Sequence, residues 1–142
     1  MPIHEIRKEN RNVIPFMQES ITAGFPSPAQ DYMEDEINLH ELLVPHPLSS
    51  FVVRAVNDSM MPLIPEGALL VVDKSLKARS NNIIVGFING DFTLKRFIKK
   101  GAQVLLRPEN KSYPETVITE EHEFSVWAVV TQIIIDPNKI KC

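Results

Sequence analysis

Residues 51–73 read FVVRAVNDSMMPLIPEGALLVVD. Two runs of branched apolar residues, one ending near Val56 and one starting near Ala68, bracket a connection that holds Ser59. Further runs of the same kind follow: IIVGFI, FTLKRFI, QVLLRP and SVWAVVTQIII. Turn chemistry separates them, at Pro65-Glu66-Gly67 and at Asn89-Gly90-Asp91. Asn89-Gly90 is a strong hairpin signal because both residues tolerate positive φ. No long amphipathic helix alternates with the strands, which argues against a parallel sheet built on crossover helices. The expected fold is mainly β, a curled, mainly antiparallel sheet. SVWAVVTQIII is read as an edge strand, with Trp127 either in the core or at an interface.

Ahead of the strands the composition changes. Gly24, Pro26 and Pro28 fall close together and an acidic run follows, so residues 25–29 are expected to be extended and without a ladder of their own. In residues 38–44, Leu39, Leu42 and Leu43 recur at helical spacing behind Asn38, a capping type, and Pro45 and Pro47 follow as stops. The expected division is a flexible N-terminal arm over 1–37 and a β-rich domain over 38–142.

A chain of 142 residues and 16.1 kDa has room for one ordinary domain and a tail. Its apolar share of 44% and charged share of 23% are those of a globular protein, and no apolar run is long enough to cross a bilayer. The N-terminal MPIHEIRKENRN is polar where a secretory leader is apolar, so the expected location is the cytoplasm. The one cysteine, Cys142, leaves no internal disulfide, and His4, His40, His46 and His122 show no metal-ligand spacing. No metal and no cofactor are expected. A formal charge of -3 argues against a broad phosphate-binding face and sequence-specific DNA binding.

A serine at a strand end is placed as nucleophiles often are, although turn serines commonly bond nearby backbone instead. Met60, Met61, Leu63 and Ile64 make this connection unusually apolar, which suits a water-poor site as well as ordinary loop burial. None of the histidines has a context that marks it as the partner base. The alternative is a lysine kept neutral by burial, and Lys95, inside the apolar FTLKRFI, is the best candidate. Strand alternation does not decide the matter, since Lys95 shares parity with Thr93 and Phe97, and Arg96 shares it with Phe92 and Leu94.

AGFPSP in the arm, DSM before an apolar turn and EGALLVVD, and GDFTLKR further on resemble the self-cleaving LexA and UmuD group. The resemblance runs from about residue 23 to about residue 135 and is nearer to the UmuD/MucA type. Too few residues precede Gly24 for the DNA-binding domain that LexA-type repressors carry. The resemblance implies a LexA/signal-peptidase-like β-fold and a serine endopeptidase with a Ser-Lys dyad. Ser59 would be the nucleophile and Lys95 the general base, with the backbone amides of Asp58 and Ser59 stabilising the oxyanion. The bond cut would be Ala23-Gly24. It further implies an SOS mutagenesis role: cleavage stimulated by the RecA-ssDNA filament, then a homodimer serving a UmuC-type Y-family DNA polymerase in translesion synthesis. The rival reading is a non-catalytic β-domain that binds polymerase or RecA.

Two positions depart from the family's pattern. Asn57 stands where glycine is usual, and the turn after Met60 is about one residue shorter than in UmuD. Asn tolerates left-handed backbone best among the non-glycine residues, so the first change is expected to be mild.

Overall fold

The computed structural model describes residues 12–17 and 33–139; Ala23, Gly24, the 25–29 segment and Cys142 lie outside them. The chain divides at Pro45/His46 into two compact units. In the first, β1 (Ile14–Met17) pairs antiparallel with β2 (Met33–Ile37), with Ile14 opposite Ile37. This ladder, inside the span read as an arm, was not anticipated from the sequence. Helix α1 (Leu39–Leu43) follows, and its Asn38 cap works as expected: the side chain accepts from the Glu41 N–H at 3.1 Å.

The second unit holds a seven-stranded antiparallel sheet in the order β3-β4-β9-β5-β6-β7-β8. Its strands are β3 (Ser50–Arg54), β4 (Leu69–Asp73), β5 (Ile83–Ile88), β6 (Asp91–Lys100), β7 (Gln103–Arg107), β8 (Thr116–Val117) and β9 (Phe124–Ile134). Every long apolar run of the sequence reading is a strand here, and β8 is the short addition. Ile88 stands opposite Asp91, so Asn89 and Gly90 form the hairpin connection, with φ of 49° and 92°.

The position of β9 corrects the reading of SVWAVVTQIII as an edge. It lies between β4 and β5 in the sheet order, its first half, Phe124–Val129, paired with β5 and its second half, Val129–Ile134, paired with β4. Strand periodicity reports which face is buried and says nothing of neighbour order. Trp127 is half-buried, its ring 5.4 Å from Phe51 and 5.6 Å from Phe92, with the Lys74 ammonium 5.5 Å from its centre.

Two clusters form the core. One gathers Met60 and Ile64 from the Ser59 connection with Leu70, Val72, Val85 and Ala128; the other joins Ile84, Phe97, Leu106 and Val129. The apolar connection is thus anchored in the interior. Ile64, at 0% exposure, should be its firmest peg. Ile64→Ala is expected to cost on the order of 3 kcal/mol, read from the urea midpoint. An unshifted midpoint would contradict that packing.

One polar knot is buried beside β3. Asp73, at the end of β4, accepts from the Ser75 hydroxyl at 2.7 Å, the Ser75 N–H at 2.8 Å and the Ser49 hydroxyl at 2.8 Å. His46 Nδ1 lies 2.7 Å from its other oxygen. The Ser75 hydroxyl above all, with His46 and Ser49, holds this carboxyl well below the usual carboxylate range against the opposing effect of burial. The knot fixes the entry to β3 against the exit of β4.

Candidate active site

The connection between β3 and β4 is closed at its base by paired backbone bonds. The Ala55 N–H donates to the Ala68 carbonyl at 2.9 Å, and the Gly67 N–H to the Ala55 carbonyl at 2.7 Å. Gly67, at φ 91°, takes the turn position that needs a positive φ, and the Ala68 N–H closes it onto the Pro65 carbonyl at 3.1 Å. Within the loop, Met61 N–H donates to the Asp58 carbonyl at 3.1 Å and Ile64 N–H to the Met60 carbonyl at 2.9 Å. Two apolar pegs and these turns leave Ser59 only 3% exposed.

Lys95 comes from β6, opposite Ile84 of β5 and one position before the β6–β7 pairing begins at Arg96. Its Nζ lies 3.4 Å from Ser59 Oγ. The sequence reading named these two side chains together, and the fold brings them together. Nζ also donates to Thr93 Oγ1 at 2.9 Å and to the Leu94 carbonyl at 3.2 Å. Burial pushes the Lys95 pKa down from its ordinary value. Among the described residues no carboxylate forms an ion pair with it.

That inventory suits the neutral amine. A neutral amine has two N–H bonds and one lone pair; Thr93 and Leu94 take the two donors, which leaves the lone pair for the Ser59 hydroxyl proton. The 3.4 Å separation is long for a formed bond and ordinary for a resting pair that tightens on substrate. The arrangement is chemically able to generate an alkoxide at a shielded serine.

Asn57 behaves otherwise than expected. The non-glycine residues with positive φ among those described are Asn81 and Asn89, so Asn57 makes no use of left-handed backbone. Its Oδ1 instead accepts from the Ser59 N–H at 3.1 Å, an Asx turn around the serine. One of the two amides expected to face an oxyanion is therefore engaged in the resting chain. No described residue accepts from the other, the Asp58 N–H.

Sequence reasoning missed further groups around Ser59. Thr93 lay in plain view, two residues before Lys95 on the same side of the strand. Asn110 and Tyr113 did not, because they follow β7 and meet the serine loop only through the fold. The Asn110 N–H donates to the Ser59 carbonyl at 2.9 Å and its Nδ2 to the Asp58 carbonyl at 3.0 Å. The Tyr113 hydroxyl donates to the Asp58 carboxylate, which raises the Tyr113 pKa above its ordinary value.

Known proteins resemble this chain along most of its length. Residues 15–131 match the Peptidase S24-like family. Protein MucA of Salmonella typhimurium is 42% identical over 125 residues, covering 87% of this chain and 85% of that protein. Protein SamA of the same organism is 38% identical over 125 residues, covering 87% and 86%. The LexA repressor of Shewanella woodyi is 37% identical over 99 residues, covering 69% of this chain and 48% of the repressor. With an antiparallel β-fold of LexA type and this match across most of its length, the chain belongs to the Peptidase S24-like family, in its UmuD/MucA branch.

Proposed function

We propose that this chain is a serine endopeptidase that cuts its own Ala23-Gly24 bond, with Ser59 as nucleophile and neutral Lys95 as general base. The observation that carries the reading is the approach of the Lys95 amine to Ser59 at 3.4 Å, with the amine's other donors occupied. Lys95 takes the Ser59 proton as Oγ adds to the Ala23 carbonyl carbon. The ammonium then returns that proton to the Gly24 nitrogen as the C–N bond breaks, which leaves an ester on Ser59. Water, deprotonated by the same amine, releases the ester as a carboxylate. Because the bond is tethered to the site, a high effective concentration offsets modest chemistry.

The Asp58 and Ser59 amides are the proposed oxyanion donors, and the second must first leave Asn57 Oδ1. Removing that competing acceptor is worth about 1 kcal/mol, so Asn57→Gly should cleave about fivefold faster than the parent. A slower Asn57→Gly would mean that the Asx turn serves the reaction.

The MucA likeness supports the wider reading: an SOS protein whose cleavage is stimulated by RecA-ssDNA filaments and whose product, as a homodimer in the cytoplasm, serves a UmuC-type Y-family DNA polymerase. The filament would act by favouring a cleavable pose of the arm and would contribute little chemistry. Incubation of purified protein at alkaline pH followed by mass spectrometry tests the core of this. Two fragments meeting between Ala23 and Gly24 are expected. A chain that stays whole at every pH, with and without filament, would favour a non-catalytic binding domain.

A further inference from the structure

The Ser59 loop and β6 come from different parts of the sheet, and neither alone sets how far apart Ser59 and Lys95 stand. The 108–113 turn supplies the link. At one end Arg96, the neighbour of Lys95, grips Glu109: its Nε donates to Oε1 at 2.6 Å, and Nη2 lies 2.5 Å from the same oxygen. At the other end Asn110 takes hold of the carbonyls of Asp58 and Ser59, at 3.0 and 2.9 Å. The Asn110 Oδ1 accepts from the Ser112 N–H at 3.0 Å, which fixes the amide so that Nδ2 faces Asp58.

The consequence follows from peptide geometry. In a planar trans peptide the C=O and N–H point in opposite directions. Holding the Asp58 carbonyl toward the turn therefore aims the Ser59 N–H away from it, and holding the Ser59 carbonyl does the same for the Met60 N–H. With both flanking peptides fixed, the direction of the Ser59 Cα–Cβ bond is fixed as well, and only χ1 is left to place Oγ. We propose that the 108–113 turn is a positioning bridge in which Asn110 keeps Ser59 in register with Lys95. The inference rests on the self-cleavage reading above and deepens it. Asn110 is a positioning residue and touches no reacting atom.

The test uses the full chain with Asn110→Ala, Asn110→Asp and, as control, Lys111→Ala at an exposed neighbouring site. Asp at 110 retains the acceptor for Ser112 and the backbone donor to Ser59, and replaces the Nδ2 donor by a carboxylate oxygen that adds one negative charge. In residue-resolved amide exchange, the Ser59 and Met60 amides of both Asn110 variants should exchange at least about tenfold faster, with Val85 in β5 unchanged. In cleavage against pH, the plateau should fall about tenfold to hundredfold in both variants, at an unmoved midpoint in Asn110→Ala, which adds no charge near Lys95. Lys111→Ala should match the parent in both readouts. Parental exchange at Ser59 in Asn110→Ala, or full-rate cleavage by folded Asn110→Asp, overturns the bridge. A parent chain that never cleaves removes the peptidase reading instead, and the exchange measurement still decides the bridge.

Discussion

Ser59→Ala is expected to remain intact under alkaline conditions in which the parent chain splits, with a loss of at least about a thousandfold in rate. The substitution removes one oxygen from a site that is 3% exposed, and the Thr93 and Leu94 partners of the Lys95 amine stay in place. The fold should therefore survive, and the loss should be chemical. Lys95→Ala should be equally inert, since no histidine or carboxylate contacts the Ser59 hydroxyl to replace the amine among the described residues. Lys95→Arg is the sharper variant: it restores the cation and bulk with a group that never deprotonates near working pH, and it should remain inert. Gel densitometry over a day, with melting curves to certify folding, reads all three. Cleavage by any of them at the parental rate would exclude this dyad.

The second large effect is the dependence on pH. The reaction uses the unprotonated amine, so below the folded pKa of Lys95 the rate should climb about tenfold per pH unit, then level off. Burial lowers that pKa from 10.5, which places the bend below the point where a solvated lysine would put it. Stability is linked to the same proton. The unfolded chain holds it to higher pH than the folded chain, so between the two pKa values stability rises with pH, and below the folded value the penalty of a buried ammonium is present in full. The Tyr113 pKa, raised by its bond to Asp58, keeps that hydroxyl protonated as a donor beyond the usual tyrosine range, so the serine loop stays tied across the working window. A cleavage profile from pH 6 to 11 checks this, alongside NMR titration of the Lys95 side chain. A bend at or above 10.5 would mean that the resting fold does not desolvate the amine.

The sequence made the strands legible because each is short, branched and bounded by turn residues, and the hairpin at Asn89-Gly90 followed from backbone preference alone. It did not reveal which strand lies beside which. Ladder order depends on contacts between distant segments, and for this reason β9 was placed at the edge. Lys95 was ambiguous for a related reason. Thr93, Leu94, Lys95 and Arg96 are all partly buried, so both faces of this part of β6 are covered and alternation carries no information. Chemical reasoning chose Lys95 where pattern could not. Asn110 was out of reach of either: it looks like any turn asparagine until the fold brings it to the carbonyls of Asp58 and Ser59. The pairing of Ile14–Met17 with Met33–Ile37 was hidden by a polar, acidic second strand that lacks the usual strand composition.

The place of β9 bears on the order in which the sheet is assembled. In the sheet it stands between the β3-β4 pair, which carries the Ser59 loop, and the β5-β6 pair, which carries Lys95. A ribosome makes residues 124–134 after both of those pairs, so the two reactive side chains exist in the growing chain before the strand that joins their halves has been synthesised. A product terminated before residue 124 would hold both side chains without the strand that lies between their pairs, tied together only through the 108–113 turn.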